Sequence, residues 1–178
     1  MTEPRWLDEG ERAAWIAFLT ATNLVNRKLE QQLKDDAGLS HTQYEVLVQL
    51  NAAADGALRM TELADRLVTS KSGLTYQITQ LERAGLVSRR SCPSDVRGVF
   101  AEITERGREV LRFAAPGHVE AVRNALIDVL TPEQLTHLAE GLGEVTRRLR
   151  TEQRCGAQTA TQGGTATQAA SGAGAGRP

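Results

Sequence analysis

The stretch MTELADRLVTSKSGLTYQITQLERAGLVSRR, residues 60–90, decides the fold. Thr61 opens a short helix that ends near Leu67, with Leu63 and Leu67 on one side. Ser70 caps a second helix over residues 71–84, and Gly85 stands where a helix end favours a left-handed residue. Two helices joined by so short a turn have helix-turn-helix spacing. In the second helix Leu74, Ile78 and Leu81 recur at four- and three-residue steps and point inward. At ~100° per residue the opposite face carries Ser72, Thr75, Tyr76, Thr79 and Arg83, with Ser70 and Lys71 at its start. Short polar side chains of this kind reach base edges in the major groove of DNA without clashing. The free N–H groups of the helix start suit a phosphate. Taken alone, this face equally describes a solvated helix with a good N-cap. The elements on either side favour the nucleic-acid reading.

On the C-terminal side, residues 86–90 form a strand and residues 91–98, with Pro93, Asp95 and Gly98, form a turn. Val99, Phe100 and Ile103 make a second strand, which gives a β-hairpin with a long polar tip holding Arg89, Arg90, Asp95 and Arg97. An arginine on such a tip can enter a narrow, electronegative minor groove. Arg59 and Thr61, beside the first helix, join the candidate DNA contacts. On the N-terminal side, Trp15, Phe18 or Leu19, Thr22, Val25, Leu29 and Leu33 lay one apolar stripe along a helix over residues 8–33. At ~1.5 Å per residue that helix spans nearly 40 Å, long for an element serving only its own small core. Ser40 and Gln43 have capping-box spacing and start another helix, which ends near Asn51. Downstream, Thr104 caps a helix that Pro116-Gly117 must kink or interrupt. Thr131-Pro-Glu-Gln134 starts a last helix, which reaches about Arg150 through Leu135, Leu138, Leu142, Val145 and Leu149. The flanking helices carry more apolar stripe than one small lobe can bury, so a second copy of the chain is the expected cover. From Thr151 on, Gly, Ala, Thr and Gln dominate, and the expectation is a disordered tail.

Composition narrows the class. Of 178 residues, 40% are hydrophobic and only 4% aromatic, so the core rests on Leu, Val, Ile and Ala. The net charge of -1 is unevenly spread: residues 59–108 hold nine Lys/Arg against six Asp/Glu, and residues 1–55 five against nine. A basic centre between acidic flanks is a mild footprint for DNA, because phosphates are neutralised locally. No apolar run approaches the ~18 residues of a membrane helix, and the polar start does not resemble a signal peptide; no membrane contact and a cytoplasmic location are expected. Cys92 and Cys155 are too few for a disulfide framework. His41, His118, His137 and the two cysteines lack paired ligand spacing, so no metal and no cofactor are expected. No nucleophile elbow, P-loop or dinucleotide fingerprint occurs, and an enzyme is not expected.

Together with DVRGVFAEITERGREVL, residues 95–111, the opening stretch resembles the MarR family of bacterial transcriptional regulators. The Asp-x-Arg-Gly of the wing (Asp95, Arg97, Gly98) and the Thr-x-x-Gly after it (Thr104, Gly107) carry the likeness, which spans residues 8–150. It implies a homodimer with interlocking N- and C-terminal helices and two winged lobes. The recognition helix would be 71–84, with Arg97 reaching the minor groove and Asp95 orienting basic side chains nearby. A dimer would set two recognition helices about 34 Å apart, over successive major grooves of a pseudo-palindromic operator. The expected fold is mainly α with a small hairpin wing. Residues 1–36 would form an N-terminal dimerisation helix, 37–111 the winged helix-turn-helix with its wing at 87–103, 112–150 the C-terminal dimerisation helices and 151–178 the tail.

The resemblance further implies a small effector that releases the protein, a repressor in most such cases, from double-stranded DNA. Trp15, Phe18, His41 and His118 could line its pocket, although Trp15 and Phe18 read more simply as packing. Cys92, beside Arg89 and Arg90, could act as a redox switch, since positive charge lowers a thiol pKa; an incidental exposed cysteine is the simpler reading. Two alternatives stay open: a redox-responsive regulator using Cys92, and a winged-helix protein-interaction module without DNA affinity.

Overall fold

The computed structural model describes residues 3–92 and 95–163, with the backbone alone given for 92, 95–97 and 154–163. Helix α1, Glu9–Ala37, starts on a capping box: the Asp8 carboxylate accepts the N–H of Glu11 at 2.8 Å and the Glu11 carboxylate accepts that of Asp8 at 3.0 Å. Helix α2, His41–Ala52, opens on the expected Ser40–Gln43 box, with reciprocal bonds of 3.2 and 3.0 Å. Strand β1, Ala57–Arg59, leads directly into α3, Met60–Arg66, and α4, Lys71–Arg83, follows. The turn between α3 and α4 holds Val68 at φ 50°. Gly85, at φ 72°, ends α4 in the left-handed conformation the sequence suggested.

The wing is β2, Val87–Cys92, and β3, Asp95–Ile103, so the expected long tip is corrected: pairing continues out to Cys92 and Asp95, past a register shift between Ser91 and Cys92. The hairpin is also not alone. β1 pairs antiparallel with β3 in the order β1-β3-β2, and Leu58, Ala101 and Arg89 lie abreast, as do Arg59, Phe100 and Arg90.

The core gathers where α2, α3, α4 and this sheet meet. Val46, Leu47 and Leu50 of α2, Leu63 of α3, Leu74, Ile78 and Leu81 of α4, and Ala101 of β3 are buried. Each large side chain there contributes roughly 1.5–3 kcal/mol by leaving water. Among the described residues no buried side-chain N or O lacks a partner.

Helix α5, Glu105–Ala125, runs through Pro116 without a break, so of the kink or interruption expected there the interruption does not occur. Proline removes one N–H from the ladder, while Leu111, Ala114 and Ala121, buried along one side of α5, keep the helix packed on either side of the gap. A short 3-10 helix, Ile127–Val129, follows. After Val129 a second compact unit begins. In it, Thr131 and Gln134 form the expected capping box, with bonds of 3.3 and 2.9 Å, and α6 is Pro132–Gly163. The tail expected from Thr151 therefore begins as helix. Arg148 pairs with Glu152 at 3.2 Å and the Thr151 hydroxyl donates to the Arg147 carbonyl, which carries the helix across the expected boundary. The remaining expectation for residues 164–178 lies outside the described residues.

Candidate nucleic-acid interface

The helix-turn-helix is α3 and α4. The Ser70 hydroxyl accepts the N–H of Gly73 at 3.1 Å and stands 3.3 Å from the Ser72 hydroxyl, so the start of α4 is capped and polar. With Leu74, Ile78 and Leu81 turned into the core, an open concave surface is left, lined by Lys71, Ser72, Thr75, Tyr76, Thr79, Gln80 and Arg83. Tyr76 is 61% exposed, so its ring and hydroxyl are open to whatever meets this face. This is the face that the helical spacing indicated, with one addition. Gln80 lies outside the set expected from the sequence, which holds only hydroxyl and cationic side chains. The four-residue steps Ser72, Tyr76, Gln80 were the available signal.

The hydroxyls on this face are less free than their position suggested. Thr75 donates to the Lys71 carbonyl at 2.7 Å and Thr79 donates to the Thr75 carbonyl at 2.8 Å. Such back-bonds engage the donor of each threonine. Ser72, Tyr76 and Gln80 are therefore the better placed to give a proton to a base edge.

A second cleft runs between the start of α3, the start of α4 and the wing, lined by Arg59, Met60, Thr61, Lys71, Thr75, Arg89, Gly98 and Val99. Arg59 and Lys71 on its walls make it attractive to a sugar-phosphate backbone, whereas Arg89 is paired with Glu82. On the outer face of the sheet the Arg59 and Arg90 guanidinium groups lie 5.3 and 5.2 Å from the Phe100 ring centre, and Arg90 also faces Glu102 at 3.4 Å. Cation–π contact of this kind preserves charge at the surface while limiting the motion of long side chains. Arg89, expected on the hairpin tip, instead turns toward α4. The sequence-stated roles of Asp95, Arg97 and Cys92 depend on side chains outside the described residues.

The four residues expected around an effector fall into two groups. Trp15 and Phe18 pair ring to ring at 6.2 Å, 51% and 41% exposed on α1. His41 and His118 meet at 5.7 Å, with Tyr44 at 4.4 Å from His118 and Gln32 3.3 Å from its Nδ1. Phe18 and Gln32 are fourteen residues apart on one helix, about 20 Å. Within one chain the aromatic pair and the histidine pair therefore do not share a pocket. Burial, and then the charge of His41, lower the His118 pKa, and burial raises that of Tyr44. Among the described residues no group of three or more His, Cys, Asp or Glu is placed to hold a metal, and no helix is long and apolar enough to cross a membrane.

Comparison with known proteins agrees with this geometry. Residues 39–99 match the sequence profile described as the MarR family. The chain is 46% identical to Sco3205, a MarR family transcriptional regulator from Streptomyces coelicolor crystallised in complex with DNA. That match covers 83% of this chain and 92% of the other, with a TM-score of 0.80. It is 32% identical over 131 residues to the Bacillus subtilis regulator MhqR, covering 74% of this chain and 88% of that one. It is 29% identical over 143 residues to the Bacillus subtilis transcriptional repressor YetL, covering 80% and 84%. With a capped second helix in its helix-turn-helix, a three-stranded wing and these relatives, the chain belongs to the MarR family and is a DNA-binding, winged helix-turn-helix transcriptional regulator rather than an enzyme.

Proposed function

We propose that the protein acts as a homodimeric repressor in the cytoplasm, released from a pseudo-palindromic operator by a small ligand. The observation that carries the dimer is the apolar face of α1. Trp15, Ile16, Phe18 and Leu19 are all between 39% and 55% exposed in the single chain. Four large apolar side chains within five residues form a patch that soluble monomers seldom leave open. A two-fold copy covers such a face and presents two α4 helices to successive major grooves. The relative named as a repressor supports the direction of regulation. Ser70, Lys71, Ser72, Thr75, Tyr76, Thr79 and Arg83, with Arg59, Thr61, Asp95 and Arg97, and Gln80 added from the structure, are the proposed DNA contacts.

The histidine pair is the better candidate for the effector. It joins α1, α2 and α5, so a ligand that wedges between His41 and His118 alters how the winged lobe is held. Any ligand with unequal affinity for two spacings of the lobes shifts the population between them. Three measurements test the reading together: sedimentation for the mass, footprinting on a selected duplex for two protected half-sites one helical turn apart, and release of that duplex by ligands which shift the His118 imidazole NMR signals. A monomer at micromolar concentration, or a single protected half-site, would exclude the dimeric reading.

A further inference from the structure

Arg89 lies on β2, opposite Ala101 of β3, on the sheet face that meets α4. Its Nη1 donates to Glu82 Oε2 at 2.9 Å. Its Nη2 donates to Thr79 Oγ1 at 2.8 Å and to the Thr75 carbonyl at 3.2 Å. All three acceptors belong to α4 and span two of its turns. One wing side chain thus grips the helix that faces the major groove.

The base of the hairpin is held by burial, with Leu86, Val87 and Ile103 at 5%, 2% and 3% exposure, and by the Thr104 hydroxyl on the Gly85 carbonyl at 2.8 Å. Arg89 is two residues further out, where core packing has ended: Arg90 and Ser91 are exposed. Its three bonds set the tilt of the distal hairpin. Cys92 is roughly 10 Å beyond Arg89 at ~3.3 Å per residue, so a tilt of about 5° displaces it by close to 1 Å. A displacement of that size is enough to break contacts that depend on two elements meeting one duplex together. The ion pair with Glu82 also neutralises Arg89 locally, which removes it from the charge offered to phosphates.

We propose that Arg89 is a positioning residue for DNA recognition: by holding Thr75, Thr79 and Glu82 it fixes the wing on α4, and so the register in which helix and wing meet the duplex. The proposal rests on both elements engaging DNA.

The test uses full-length protein and two probes. One is a duplex selected by the wild-type protein from a random-sequence pool. The other is unselected random-sequence duplex of the same length. Affinities are measured across a salt series for wild type, Arg89→Lys, Arg89→Ala and Glu82→Ala. Lysine keeps the charge but lacks the planar fork that reaches several acceptors. Arg89→Lys and Arg89→Ala are both expected to lose about tenfold on the selected duplex and under about twofold on the random one, with an unchanged salt slope. Glu82→Ala, which removes one acceptor, should shift the same ratio in the same direction by a smaller factor. Circular dichroism of each variant establishes that the measured protein is folded. Wild-type selectivity in Arg89→Lys would overturn the proposal. So would an equal loss on both duplexes with the salt slope reduced by about one, because Arg89 would then be a phosphate contact. A wild-type protein that selects no duplex would overturn the DNA reading as well.

Discussion

Replacing Gly107 by alanine separates what the sequence alone suggests from what the packing requires. Glycine to alanine inside a helix ordinarily stabilises by ~0.8–1.0 kcal/mol. Here a Cβ would stand 2.2 Å from the carbonyl oxygen of Leu86 and 2.8 Å from Cγ1 of Ile103. Carbon and carbonyl oxygen normally approach no closer than ~3.3 Å, so something must retreat by about 1 Å. The carbonyl is poorly able to do so: it accepts the N–H of Thr104 at 3.1 Å, on a residue that is only 5% exposed. If α5 moves instead, the Thr104 cap on the Gly107 N–H, 3.0 Å long, is stretched. Overpacking costs ~1–3 kcal/mol and a lost cap about 1 kcal/mol. Set against the propensity gain, the net destabilisation is about 2 kcal/mol, or roughly 4–8 °C in melting temperature for a chain of this size. Urea and thermal unfolding at equal protein concentration measure it, since association with a second copy adds concentration-dependent stability. An alanine variant as stable as wild type, or more so, would refute the claim that α5 and the base of the wing are in unyielding contact.

Gln80→Ala is expected to weaken binding to the selected duplex by about 1–3 kcal/mol while leaving random-sequence binding nearly unchanged, because an amide reads a base edge rather than a phosphate; competition titration with both duplexes checks it. Lys71→Ala should weaken binding to both duplexes alike and reduce the salt slope by about one, read from affinities at four or more salt concentrations. His118 is held below its ordinary value of 6.5 by burial and then by His41. Between its folded value and 6.5 the unfolded chain binds more protons, so the stability associated with neutral His118 is complete above about pH 6.5 and is lost as pH falls toward the folded value. His118→Gln should flatten that part of a urea-midpoint profile measured from pH 7.5 to 5, and an unchanged profile would assign the slope to other groups.

The parts of the fold that were legible are those governed by local rules. Ser40–Gln43, Ser70 and Thr131–Gln134 announced helix starts because a cap involves atoms only three residues apart. Leu74, Ile78 and Leu81 showed which side of α4 is inside, because the period of the helix is fixed. β1 was not visible, since Ala57–Arg59 is too short for alternation and becomes a strand only by pairing with β3, some forty residues later. At Pro116 the local rule predicts a kink or an interruption; that the helix is not interrupted depends on packing the sequence does not display. Past Thr151 composition alone suggests a tail, yet α6 continues to Gly163, because lengthening a helix already nucleated costs far less than starting one.

The site divides in the same way. Helical spacing placed Ser72, Thr75, Tyr76, Thr79 and Arg83 on one surface, and the structure lines that surface with them. Spacing says nothing of where each polar hydrogen goes. Thr75 and Thr79 direct theirs to their own helix, and Thr79 also receives Arg89. Arg89 itself looked like one more cation on a basic hairpin, because charge is visible in a sequence and a partner seven residues away across a turn is not. This changes how the chain's electrostatics are to be counted. A lysine such as Lys71, exposed at the start of α4, adds to the attraction for phosphate, whereas an arginine paired with Glu82 adds chiefly geometry. Since phosphate contacts position a protein on any duplex and base contacts choose among duplexes, the two kinds of cation should separate in experiment. Loss of the first lowers affinity everywhere, and loss of the second lowers the preference for one sequence over another.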